Sequence, residues 1–155
     1  MSFNFKQIGV IRTPYTDSGP FQPVESEEGE FQIILDPKYK QGLKELEHFN
    51  YIYVIFCFHK AETSETLTAI PPWCGGKRVG VFASRSPNRP NPIGLSIVRI
   101  KKIVDNIIHT TCIDALDQSP LLDIKPYIKT LDCKNKANNG WFEKYGKTET
   151  QKKIR

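Results

Sequence analysis

The sequence predicts a mainly β fold: a small closed or nearly closed β-barrel with one or two short helices, not a Rossmann fold. Three observations carry this. About seven segments rich in β-branched and aromatic residues are separated by Gly, Pro, Asn and Asp turns, only one stretch has helical spacing, and nucleotide-binding glycine motifs are absent. The 155 residues suit one compact domain. In so small a domain, closing the sheet removes its exposed edges. With no GxGxxG after a strand and no GxxxxGK[ST], neither a dinucleotide site nor a P-loop is supported, and no GxSxG nucleophile elbow occurs.

The elements follow in order. Residues 5–12 read as a first strand ended by Thr13-Pro14, and Thr16 to Gly29 as a long exposed loop. Phe31 to Leu35 is a short strand closed by Asp36-Pro37. Tyr39 to Phe49 places Leu43, Leu46 and Phe49 on a helical step, which predicts one short helix. Tyr51 to His59 is apolar on both faces and reads as a central strand. Ala61 to Gly76, with Pro71-Pro72 and Gly75-Gly76, is a second loop. Val79 to Ala83 and Gly94 to Ile103 are strands around a proline-rich turn, and Asp105-Asn106 turns the chain into a return strand, Ile107 to Asp114. After Asp132 the apolar density falls, so residues 1–132 are expected to form the barrel domain and 133–155 a weakly packed basic tail.

Composition is that of an ordinary globular chain, 39% hydrophobic and 25% charged. No apolar run is long enough to span a membrane. The N-terminus lacks the pattern of an export signal. Cys57, Cys74, Cys112 and Cys133 lie far apart, which argues against a zinc site and for reduced thiols, so the expected location is cytoplasmic. The net charge of +5 equals that of the segment from Lys129 onward, with eight basic and three acidic residues. Lys77 to Lys102 adds seven cations and no acid, whereas Glu25, Glu27, Glu28 and Glu30 form an acidic cluster. Such segregation favours a phosphate-bearing partner; a solvated basic face is the simpler alternative.

The densest chemical signal is the segment ASRSPNRPNPIG, residues 83–94. Pro87, Pro90 and Pro92 fix their own φ and bias the residues before them toward extended backbone, so the loop is stiff. Arg85 and Arg89 suit a carboxylate or phosphate held in a fork, and Asn88 and Asn91 suit a base edge or a ribose. The alternative is a structural turn with solvent-facing arginines. A second segment, Asp114 to Tyr127, carries a turn at Asp117 to Pro120, with Asp114, Asp117 and Asp123 able to meet ribose hydroxyls, a cation or nearby arginines. Their spacing is not that of an EF-hand. Asp114 and Asp123 equally suit strand-end anchors or ion pairs. His59 closes the central strand, a position that is often structural, and Lys60 follows it.

These two segments, with IGVIRTPY at residues 8–15, FCFHK at 56–60, GGKRVGVF at 75–82 and DIKPY at 123–127, resemble the TrmO (TsaA-like) family of tRNA adenine N6-methyltransferases over residues 5–128. The resemblance implies a barrel enzyme that uses S-adenosyl-L-methionine, works as a homodimer and methylates N6 of a threonylcarbamoyl-modified adenosine beside the tRNA anticodon. Carried over by motif, cofactor contacts fall on Pro20, Phe21 and Gln22, on His59 and Lys60, on Arg85 and Leu95, and on Asp117, Gln118, Ser119 and Pro120. Phe21 stands where members often have arginine, and Lys60 replaces a common glutamine. Arg89 and Asn91 are the expected substrate contacts. Asp114 and Tyr127 are the candidates for positioning the proton leaving the adenine nitrogen. A cofactor-binding protein acting on another substrate and a non-enzymatic RNA-binding barrel are the competing readings.

Overall fold

The computed structural model describes residues 3–25, 28–62 and 67–146. The chain divides into two compact units: Met1–His59 with Ile93–Asp132, and Lys60–Pro92 with Cys133–Arg155. Glu27 of the acidic cluster and residues 147–155 of the basic tail lie outside the described residues.

The first unit is a closed antiparallel barrel. Its strands are β1 (Gly9–Arg12), β2 (Phe31–Leu35), β3 (Tyr51–Cys57), β6 (Ile93–Val104), β7 (Ile107–Thr110) and β8 (Ser119–Pro126). They run in the order β1-β2-β7-β6-β3-β8, and β8 pairs back onto β1. Alternation explains the core. Ile52, Val54 and Phe56 of β3 are fully buried, and Ile11, Phe31, Ile33, Val98, Ile108 and Leu121 meet them from the other strands. The long β6 serves two neighbours, pairing with β3 through Ile93–Arg99 and with β7 beyond. A register shift between Ile100 and Lys102 marks where it changes partner, the kind of bulge that lets a small sheet curl shut. Two glycines permit close approach: a Cβ on Gly9 would lie 2.3 Å from the Ile34 carbonyl oxygen, and one on Gly94 2.4 Å from Cζ of Phe56.

Several elements differ from the expectations. The first strand is shorter, beginning at Gly9. Tyr39 to Phe49 is not one helix but two 3-10 turns, Pro37–Leu43 and Leu46–His48. Asp36 caps the first by accepting from the Lys38 amide at 3.2 Å. Glu45, with φ of 68°, takes a left-handed conformation that separates the two. The return strand after the Asp105-Asn106 turn ends at Thr110 rather than Asp114. The largest difference is β8: the sequence predicts a turn at Asp117 to Pro120 and no strand after it. Pro120 and Pro126 hid it; both sit near its ends, where a missing N–H is tolerated.

The second unit contains a two-stranded sheet of β4 (Thr68–Ala69) and β5 (Val79–Gly80) and a short helix, α2 (Trp141–Tyr145); α1 (Lys129–Asp132) closes the barrel unit. The strand expected over Val79 to Ala83 stops at Gly80, and Val81–Ala83 is a 3-10 turn. An aromatic stack organises this unit: Trp141 lies 4.3 Å from Phe142 between ring centres, and Phe142 lies 5.7 Å from Trp73. No residue from 133 to 146 is buried. Among the described residues no helix is long and apolar enough to cross a membrane.

Candidate cofactor and substrate site

In the barrel unit, the bend at Asp117–Pro120 is held by its backbone. The amides of Asp117 and Gln118 donate to the carbonyls of Tyr15 (2.6 Å) and Ile11 (2.9 Å), so the bend is stitched to the end of β1. Gln118 takes a positive φ of 64°, which turns the chain sharply into β8. The Asp117 carboxylate accepts from the Thr13 amide at 3.1 Å and pairs with Nε of Arg12 at 3.0 Å. With its amide oxygen turned to the same guanidinium, Gln118 accepts from Nη1 at 2.8 Å. Asp117 is thus an anchor of the bend, clasped by Arg12, a residue the sequence reading had not singled out.

Ser119 opens β8 as a buried residue, and its Oγ lies 3.3 Å from Nδ1 of His59. The fold therefore joins two predicted cofactor residues that lie 60 positions apart. The β3–β8 pairing causes this, since it sets the end of β3 beside the start of β8. Pro120 follows opposite Val10. Leu95 is 57% exposed on the outer face of β6, opposite Ile55 of β3, with Ile97 (44% exposed) and Tyr53 forming the next row. Pro20 and Gln22 are half-buried, and Phe21 is exposed.

Asp114 and Tyr127 occupy different faces. Asp114 accepts a hydrogen bond from the hydroxyl of Ser96, a buried residue opposite the inward-facing Val54. Tyr127 packs its ring on the outward Tyr51 and Tyr53, at 6.5 and 5.5 Å between centres. Beside it, Tyr51 donates its phenol proton to Glu25 at 2.8 Å, and Arg99 pairs with the same oxygen at 2.8 Å. That carboxylate pushes the Tyr51 phenol above its usual range, and desolvation moves Tyr53 the same way, so both stay neutral donors. Asp123 lies within β8 and forms an ion pair with Lys125 at 2.7 Å. A shallow cleft of about 430 Å³ opens beside Arg12, Thr13, Pro14 and Gln32, and none of the predicted cofactor residues lines it.

In the second unit, Arg89 donates from Nη1 to the carbonyl of Ser84 at 3.2 Å, with Ser86 at 3.5 Å. It braces its own loop around Arg85. Arg85 is exposed and has no partner among the described residues, as do Asn88 and Asn91. Lys60 is exposed at the start of this unit. Within the barrel unit, the serine–histidine pair suits hydroxyls and the exposed leucine an apolar ring face; within the second unit, the Arg85 guanidinium suits a carboxylate. No group of three or more potential metal ligands occurs among the described residues.

Comparison with known proteins gives a consistent result. The family model for the tRNA-methyltransferase O N-terminal domain matches residues 10–133. The chain is 42% identical over 137 residues to the tRNA (adenine(37)-N6)-methyltransferase of Escherichia coli, covering 82% of this chain and 58% of that protein. It is 37% identical over 142 residues to a probable S-adenosyl-L-methionine-binding protein of Pyrococcus abyssi, covering 90% of this chain and 76% of the other. The crystal structure of TrmO from Pseudomonas aeruginosa superposes with a TM-score of 0.74 at 31% identity, over 90% of this chain and 62% of that one. The chain thus spans about three-fifths of two of these three relatives.

Proposed function

The chain belongs to the tRNA-methyltransferase O family, and from that premise we propose that it transfers a methyl group from S-adenosyl-L-methionine to N6 of an adenosine beside the tRNA anticodon. The match over residues 10–133 is the observation that carries this reading, because it includes both segments with binding chemistry. The finer substrate is a threonylcarbamoyl-modified adenosine. The protein acts in the cytoplasm as a homodimer, whose interface we assign to the exposed outer face of β6 around Ile97.

In this reading Arg85 holds the cofactor carboxylate, and His59 and Ser119 bind polar groups of its nucleoside. Leu95 packs on its apolar face, and Pro20, Phe21, Gln22, Lys60, Gln118 and Pro120 complete the contacts. Asp117 contributes by holding the bend. The cofactor brings an activated methyl on a sulfonium with a good leaving group. The chain supplies alignment, which is worth on the order of 7–11 kcal/mol when the reacting atoms are well placed. The adenine nitrogen sheds a proton as it attacks, and Asp114, oriented by Ser96, is better suited to receive or position it than Tyr127. Arg89 shapes the loop through Nη1, and it and Asn91 are the substrate contacts. An anticodon-loop base is already unpaired, so presenting it costs less than extracting it from a duplex. Residues 133–155 act as a basic tail toward the phosphates.

Incubation with labelled cofactor and tRNA, with and without the threonylcarbamoyl group, tests this. Label in the modified tRNA alone is the expected result. Label in another molecule overturns the substrate, and no cofactor binding in calorimetry overturns the enzyme reading altogether. Ile97→Lys is expected to give monomers in sedimentation; an unchanged mass excludes that interface.

A further inference from the structure

The charge divides unevenly between the two structural units. The second unit carries twelve of the 22 Lys and Arg but only four of the 17 Asp and Glu, a net charge of +8, while the barrel is left at −3. Among its described residues eight cations face two acids. Within this cationic unit Phe82 is 76% exposed. Leaving a phenylalanine in water forgoes the free energy of burying it. The turn that displays it is nevertheless fixed on several sides. Val81 beneath it is buried and donates its amide to the Leu67 carbonyl at 2.9 Å; the amide and hydroxyl of Ser84 both reach the Val81 carbonyl; and the Trp141 indole donates to the Ala83 carbonyl at 2.7 Å. Arg78, just before β5, lies four residues from Phe82, so its backbone is within about 14 Å of it, and Lys77 precedes Arg78. Arg78 spends one donor on Thr68 at 3.0 Å, and its fork retains others.

We propose that this unit is a docking surface for single-stranded RNA, with Phe82 as a platform on which an unpaired base stacks and Lys77 and Arg78 as contacts to the flanking phosphates. A solvent-facing aromatic ring on a hydrogen-bonded turn of a cationic unit suits looped rather than paired RNA, because every base has a π-face and a duplex hides it. Phenylalanine has no hydrogen-bonding group, so the platform selects strand state rather than sequence. The inference rests on the tRNA reading and adds which surface meets the loop.

The test measures binding of an RNA hairpin with the anticodon-loop sequence, and of a blunt duplex of the same stem, to the full chain. Stacking worth about 1–3 kcal/mol per base predicts that Phe82→Ala weakens hairpin binding roughly 5- to 150-fold and leaves the duplex affinity unchanged. Phe82→Trp should keep wild-type affinity. Lys77→Ala with Arg78→Ala should weaken both RNAs and lower the salt slope by about two. Calorimetry with S-adenosyl-L-methionine should give the wild-type affinity for every variant. Equal hairpin binding by Phe82→Ala, equal losses on hairpin and duplex, no rescue by tryptophan, or a parallel loss of cofactor binding overturns the platform. Wild-type protein that binds neither RNA overturns the tRNA reading with it, whereas wild-type hairpin binding without methyl transfer overturns only the reaction.

Discussion

The barrel and the second unit are stabilised by different means. In the barrel, every strand has two neighbours and a shared apolar interior, so stability is spread over many buried side chains. The second unit has one two-stranded sheet, a five-residue helix and an aromatic stack, and particular hydrogen bonds set its shape. The former tolerates little change in volume; the latter tolerates sequence change but depends on single polar contacts. Their charges differ in the same sense, the barrel slightly acidic and the other strongly basic. The division sets a part stabilised by shared burial beside a part shaped by single polar contacts within one short chain.

Variants ordered by their cost in stability test this division. Gly94→Ala is the most severe, because the new methyl meets the Phe56 ring inside a closed core. A loss of about 3 kcal/mol in denaturant unfolding is expected; a near-neutral result would show the interior to be looser than the alternation implies. Asp117→Ala removes the partner of Arg12 and leaves the Thr13 amide without its acceptor, for about 1–3 kcal/mol. Trp141→Phe keeps the ring stack but loses the bond to the Ala83 carbonyl. It should cost about 1 kcal/mol, read as faster amide exchange around residues 81–84 with the barrel unchanged. Arg85→Ala should leave the melting temperature alone while lowering cofactor affinity at least about tenfold, as expected when a charge-assisted contact is lost; a stability loss instead would make it structural.

The smallest effect is a pH dependence. Hydrogen bonding to Glu25 raises the Tyr51 phenol above its usual value near 10, so folding favours its protonated form. That contribution is fully present below the unfolded value and fades as pH rises through the folded one. Wild type and Tyr51→Phe should therefore converge in stability only in strongly alkaline solution, and a gap that persists there would assign the effect to packing.

Much of the barrel was legible in the sequence. Phe31 to Leu35 and the core of β3 announce themselves by β-branched and aromatic residues, and Asp105-Asn106 marks its hairpin. What escaped has identifiable causes. Two prolines disguised β8, and periodic leucines suggested a helix where Glu45 turns left-handed. The site was legible as motifs and not as partnerships. The pairing of His59 with Ser119, of Asp114 with Ser96 and of Asp117 with Arg12 depends on strand register, which no single segment encodes. Arg89 also bonds back to the Ser84 carbonyl of its own loop, a partnership no motif announces.

The pairing of β8 with β1 has one more consequence. A ring of strands without a first or last member offers no row of vacant amides and carbonyls to an incoming polypeptide. Strand donation, the route by which open sheets recruit fibrils or swapped neighbours, is thereby denied to this half of the molecule. Any association it makes must be written in side chains, where a single substitution can revise it without disturbing the ring beneath.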